Sequence, residues 1–171
     1  MATLAPALQV SNASNFIGGG AFFPIKSATD INQGCLVRLD SNGEVVEASK
    51  TQAAVVVAAG VAIFTDEHGT ATLRTGVAGL TVKCAIARKC RIKGLDTTVV
   101  PAVAAGLRLF LGALPTATVS NYTATRSTTA NDQLQLVGEC ISATEIDVDV
   151  QGSFFGDPAT AADTNTLVLQ Q

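Results

Sequence analysis

The sequence predicts an all-β fold: a compact small barrel or sandwich, with an extended N-terminal arm and a C-terminal tail. Three observations predict it. Turn-forming residues recur about every 8–12 residues from Ser27 onward, the rhythm of sandwiches and barrels. Hydrophobic residues fill 47% of the 171 positions but aromatic ones only 5%, so Ala, Val, Leu and Ile supply the apolar pattern. With abundant Thr, that mix suits short strands better than helices. No apolar stretch keeps a helical period over a useful length. A chain of this size holds one domain with its own core. The boundaries read as an arm over 1–26, a β domain over 27–152 and a tail over 153–171.

The arm, "MATLAPALQVSNASNFIGGGAFFPIK", has no charge before Lys26 and no sustained strand or helical period. Its apolar residues Leu4, Leu8, Val10, Phe16, Ile17, Phe22 and Phe23 are separated by Pro6, Ser, Asn and the run Gly18–Gly20. It is too apolar to remain a solvated tail, so it reads as an extended segment whose side chains dock elsewhere. The glycine run is a hinge or turn. A phosphate cradle is the alternative, but neither a helix pattern nor a Lys-Ser/Thr pair follows it.

Within the domain, "GCLVRLDSNGEVVEA" is the clearest hairpin: Cys35–Leu39, a turn at Asp40–Gly43, and a return over Glu44–Ala48. "AAVVVAAGVAIFT" (Ala53–Thr65) reads as a buried strand with a bulge at its central glycine. A turn at Asp66–Gly69 leads into "TATLRTG". "LTVKCAIARKCRIKG" is a strand pair or one bent strand. Pro101 interrupts "TTVVPAVAAGLRLFLG", where a short helix over Ala102–Ala105 would end at Gly106.

Leu107–Leu111 and Leu134–Ile141 read as core strands, separated by a polar passage whose only charges are Arg126 and Asp132. Tyr122–Arg126 is a third, Thr-rich strand between them, and part of Pro115–Asn131 is expected at an interface or an exposed rim. Ser142–Thr144 is short enough for a hairpin loop into Glu145–Val150. In the tail, Leu167–Leu169 either frays or adds a strand to this subunit or a neighbour.

Chemistry is sparse. His68 is the one histidine and sits in the charged turn "TDEHGT" with Asp66 and Glu67. It reads as a solvated turn residue, the alternative being a catalytic base or metal ligand. Glu145, Asp147 and Asp149 share one face of a strand opposite Ile146, Val148 and Val150: a wet face against a dry one, or a cation site if a second strand adds oxygens. In "RKCRIK", Lys89, Arg91 and Lys93 share one face, and Arg88, Cys90 and Ile92 the other. This basic stripe lacks interleaved aromatics, so it reads as a salt-bridging surface or a contact with an acidic partner rather than a nucleic-acid site.

Cys35, Cys84, Cys90 and Cys140 lie in apolar runs without metal-ligand spacing and are expected as buried thiols, a disulfide or metal role being the alternative. A net charge of −3 argues against a basic nucleic-acid binder. No run approaches the roughly 20 apolar residues of a membrane span, and the N-terminus lacks a signal-peptide pattern, so folding in a cytoplasm is expected. No nucleophile, zinc or dinucleotide motif appears. A non-enzyme without cofactor or metal is the expectation.

The order strand–turn–strand in "GCLVRLDSNGEVVEASKTQAAVVVAAGVAIFT", followed by "GLRLFLG", the Thr/Ser passage and "QLQLVGECISATEIDVDV", resembles the small capsid decoration, or cement, proteins of tailed bacteriophages. The resemblance covers roughly Ser27 to Gly152 and excludes both ends. It implies a β-tulip-like domain that trimerises on the outer surface of the phage head and binds the major capsid protein, after synthesis in the bacterial host cytoplasm. The apolar arm residues named above and the stripe Arg88, Lys89, Arg91 and Lys93 are then the candidate contacts with capsid or neighbouring subunits. A receptor- or glycan-binding virion module is the alternative reading.

Overall fold

The computed structural model describes residues 8–51, 58–64, 73–75, 83–93, 104–115, 120–129, 132, 134–150 and 155–156. The strands among them are β1 (Gln9–Phe16), β2 (Phe23–Pro24), β3 (Asp30–Asn32), β4 (Leu36–Leu39), β5 (Val45–Glu47), β6 (Gly60–Ile63), β7 (Leu73–Thr75), β8 (Lys83–Lys93), β9 (Arg108–Leu111), β10 (Tyr122–Thr123), β11 (Leu134–Ser142), β12 (Glu145–Asp149) and β13 (Phe155–Gly156). The fold is all-β. One antiparallel sheet in the order β10-β9-β11-β12-β8-β6-β4-β5 curls into a half-barrel, and β3 pairs with β7 in a small second sheet.

β8 is the spine. No Gly, Pro, Asn or Asp interrupts Lys83–Lys93, so the run stays one strand of 11 residues rather than a pair. Along one edge it carries β1, from Gln9 opposite Lys93 to Phe16 opposite Ala87, and then β2 opposite Cys84 and Lys83. Along the other edge β6 takes residues 85–87 and β12 takes residues 89–93. β6 approaches closely because residue 60 is glycine: a Cβ there would stand 2.6 Å from the Ala87 carbonyl oxygen. The register of β6 is regular, so this glycine serves close approach rather than the expected bulge. Residues 53–57 of that run, the Asp66–Gly69 turn and Leu167–Leu169 lie outside the described residues.

Successive residues of β4 point to opposite faces, and each face has a core. Leu36 joins Val61, Ile92, Leu109, Leu111, Tyr122, Val137, Ile146 and Val148 inside the curl. Val37 joins Val45, Ala62, Ile86 and Cys84 on the other face, where Ile25 and Ile31 cover them. The hairpins form as their turn residues require. Gly43, at φ +76°, donates to the Asp40 carbonyl (3.0 Å), and the Asp40 carboxylate accepts from the Asn42 and Glu44 amides at 2.8 and 3.1 Å. β11 returns into β12 with Ser142 opposite Glu145. Ala105 and Gly106 form a turn in which the Leu107 amide donates to the Ala104 carbonyl (3.2 Å), and Ala102 and Val103 of the expected short helix lie outside the described residues.

The polar passage closes the curl. β9 pairs directly with β11, and β10, on the far side of β9, supplies the expected strand of the passage, shortened from Tyr122–Arg126 to Tyr122–Thr123. Beside β10, the fully buried Asn121 amide accepts from the Leu36 N–H (3.0 Å) and donates to the Leu36 and Ala48 carbonyls (2.7 and 3.0 Å). Gly112 donates to the Asn121 carbonyl (2.7 Å) and accepts from the Lys50 amide (2.8 Å). Tyr122 donates its hydroxyl to the Gly34 carbonyl (2.8 Å). Gln135 repeats the device, accepting from Ala58 N–H and donating to Ala58 C=O at 2.7 and 3.0 Å. A primary amide carries the acceptor and donors of a peptide group, so Asn121 stands in for a missing length of strand. Asn121→Ala leaves those backbone groups unsatisfied in the core. It is expected to cost about 2–4 kcal/mol in urea unfolding, whereas exposed Thr128→Ala in the same passage stays within about 0.5 kcal/mol.

Candidate functional site: an apolar loop beside a neutralised charge ladder

Two surfaces stand out along β8. On the outward face of its second half, register sets Lys89 opposite Asp149, Arg91 opposite Asp147 and Lys93 opposite Glu145. Lys89 reaches Asp149 at 2.9 Å, and Arg91 forks onto Asp147 with bonds of 3.0 and 3.2 Å. Arg91 and Lys93 also approach Glu145 at 3.3 and 3.8 Å. The hydrogen bond and charge of Asp147 hold the Arg91 guanidinium above its ordinary range, and Glu145 adds to this. The acidic partner of the basic stripe is therefore the chain's own β12. Cys90 and Ile92 are buried on the inner face as alternation requires, but Arg88 is exposed. It sits where the edge of β8 passes from β6 to β12, and its carbonyl accepts from the Val150 amide (2.8 Å). Exposed pairs of this kind contribute roughly 0.2–1 kcal/mol each, so the ladder fixes register more than it stabilises.

The second surface comes from the N-terminal segment, which does not extend away from the domain over its described length. Leu8 is 5% exposed and belongs to the inner core, with Val10 and Ala13 packed against it. Pairing satisfies the β8 edge, which would otherwise leave a row of backbone groups open. The strand was illegible as a period because the register shifts between Ser11 and Ser14, with Asn12 and Asn15 both at φ +52°. Asn tolerates that conformation, so the repeated Ser-Asn was the available signal.

The remaining apolar arm residues stay near the surface. Ile17–Gly19 forms one 3-10 turn, and Gly18, Gly19 and Gly20 all have positive φ. Phe22 beyond it is 44% exposed. Phe16, Ile17 and Phe23 are half-buried, Ile17 and Phe23 resting on the outer core. An uncharged loop is thus set on the β8 edge with an aromatic ring facing solvent. Leu4 lies outside the described residues, as do Asp66, Glu67 and His68.

One polar cluster was not singled out by sequence reasoning. Lys50 bonds Asp132 at 2.7 Å and Ser127 at 3.2 Å, and Ser127 donates to the same carboxylate. Lys50 and Ser127 hold Asp132 below the usual carboxylate range. The isolation of Asp132 in a nearly uncharged passage was the one hint. Arg38 keeps its Nε buried without a hydrogen-bond partner.

All four cysteines are free and buried; burial pushes the Cys90 thiol up to about 12 and Cys35 well above its ordinary value. Among the described residues no three His, Cys, Asp or Glu side chains group as a metal site, and no helix is long and apolar enough to cross a membrane. Glu145, Asp147 and Asp149 are matched to cations rather than converging on an ion. Comparison with protein-family models finds no match, and comparison with curated protein sequences finds none.

Glu47 gives a pH signature. Burial, then the charge of Asp30, raises its carboxyl from about 4.5 to about 7. Between those values the folded chain binds more protons than the unfolded one, so stability declines as pH rises from about 4.5 through about 7. Urea midpoints are expected to fall between pH 5 and pH 8, and Glu47→Gln is expected to flatten that decline. An unchanged slope in the variant would assign the effect elsewhere. In the folded protein the buried thiols are expected to react with a disulfide reagent only after denaturant is added.

Proposed function

We propose that this chain is a structural virion protein: a decoration, or cement, protein that sits as a trimer on the outer surface of a tailed-phage head and bridges junctions between major capsid proteins. The observation that carries the reading is the loop over residues 17–23, an uncharged apolar element with Phe22 exposed, mounted on an all-β domain. Such a ring buries apolar area on a partner without desolvating ions. The neighbouring charge ladder is already paired within the chain, whereas Phe22 is the exposed aromatic ring among the described residues. The order of strands and turns that resembles cement proteins supports the same reading. In it the chain acts by binding, not catalysis.

The test is binding to purified heads of the phage that encodes the chain. Phe22→Ser removes a ring that is already half in water, so the fold should keep its unfolding midpoint. Burying a Phe side chain contributes about 1.5–3 kcal/mol, so capsid affinity is expected to drop on the order of 10- to 100-fold. Lys89→Gln is expected to leave it nearly unchanged. Equal binding by Phe22→Ser and the parent chain would remove the loop from the interface. Deleting residues 1–26 is a poorer test, because it also takes away β1, β2 and the core residues Leu8 and Ile25.

A further inference from the structure

The covering of β8 by the N-terminal segment has a geometry that two copies can share. Among the described residues, β1 and the preceding Leu8 are held by the ladder to β8, by the Ser11 hydroxyl donating to the Arg91 carbonyl (3.3 Å), by the Leu8 amide donating to the Gln33 carbonyl (3.3 Å) and by the apolar side chains of Leu8, Val10 and Ala13. Gln9, Asn12, Ser14 and Asn15 are exposed. Leu8 fits a notch that exists because residue 34 is glycine: a Cβ on Gly34 would stand 2.7 Å from the Leu8 Cβ. Every copy of the chain presents the same β8 edge and the same notch.

The connection beyond β1 is built to bend. Gly18, Gly19 and Gly20 have φ of +60°, +68° and +95°, and around Gly19 and Gly20 no heavy atom lies within 4 Å of where a Cβ would stand. Past this loop the chain is fixed again, by Phe23 opposite Cys84, by buried Ile25 and by the Lys26 amide donating to the Val45 carbonyl (3.1 Å). A strand with a portable anchor, an unpacked glycine hinge and a firm attachment beyond it satisfies the requirements for exchange between identical subunits. Inside an oligomer the neighbour's edge competes at high effective concentration.

We propose that β1 is an exchangeable strand: in the assembled oligomer, residues 8–16 of one subunit lie along β8 of a second copy of this chain, with Gly18, Gly19 and Gly20 as the hinge. This rests on the homo-oligomeric part of the reading above. Exchange links subunits through backbone hydrogen bonds and the Leu8 notch, while Phe22, past the hinge, stays beside β2 of its own subunit.

The test uses Ser14 and Lys89, which are directly opposite in the ladder. Such positions have Cα atoms about 4.5–5.5 Å apart, within disulfide reach. Full-length Ser14→Cys and Lys89→Cys chains are mixed, unfolded, refolded together at high concentration and oxidised with glutathione disulfide. The native thiols are buried and do not interfere. Exchange predicts a disulfide-linked species of twice the chain mass in the mixture and in neither variant alone. The chain carrying both substitutions, refolded dilute, closes the bond within itself and calibrates the pair. Closure in that chain without a linked species in the mixture overturns the proposal. Size-exclusion chromatography of the same mixture separates the two readings: an oligomer without cross-linked pairs removes exchange and leaves assembly standing, whereas a monomer removes both.

Discussion

A curled antiparallel sheet leaves backbone donors and acceptors open at the two ends of its strand order, and burying them unpaired is costly. Here the side-chain amide of Asn121 meets that constraint from within the core, bonding β4 and the chain just beyond β5 from a position beside β10. The surrounding features depend on it. Gly112 and Lys50 add a backbone link across the same seam, and the Tyr122 hydroxyl reaches the Gly34 carbonyl. The inner core, from Leu36 to Val148, is enclosed because the seam is shut. With the seam open, Leu36 and Tyr122 would lose both their packing and their dry surroundings.

β8 organises everything else. Its two edges carry four strands, and along its length it serves both cores: Cys84 and Ile86 of the first half enter the outer core, Cys90 and Ile92 of the second half the inner one. In the second half the inner face stays apolar, while the outward one pairs its cations with β12. Surface character therefore changes along a single strand. The charged half is satisfied internally, and beside the other half, next to β2, the Phe22 ring is exposed.

Much of the fold was legible wherever side-chain period and turn chemistry agree. The Asp40–Gly43 hairpin, the Ser142–Glu145 return and the alternation of Glu145–Val150 are local decisions, fixed by residues a few positions apart. β1 was not legible, because a register shift and two left-handed asparagines break its period. Nor was the role of the Thr/Ser passage. A buried Asn or Gln is recognisable only when its partners are known, and those of Asn121 lie in β4 and beyond β5. Lys89, Arg91 and Lys93 were legible as one face, but their partner is a strand more than fifty positions away. The candidate contact loop was half legible: its apolar residues were evident, whereas the division between those turned into the core and those left outside depends on tertiary pairing.

The seam has a temporal side. The side-chain bonds that shut it join residues 73, 85 and 88 positions apart, and the Gln135 clamp spans 77. Chain entropy must be lost before such distant contacts reward it, and folds dominated by them form slowly. During synthesis the β4–β5 hairpin and β8 emerge well before Asn121, with their inner faces uncovered. The half-built barrel therefore spends its early life with an open edge, and the last part of the domain to leave the ribosome includes the part that seals it.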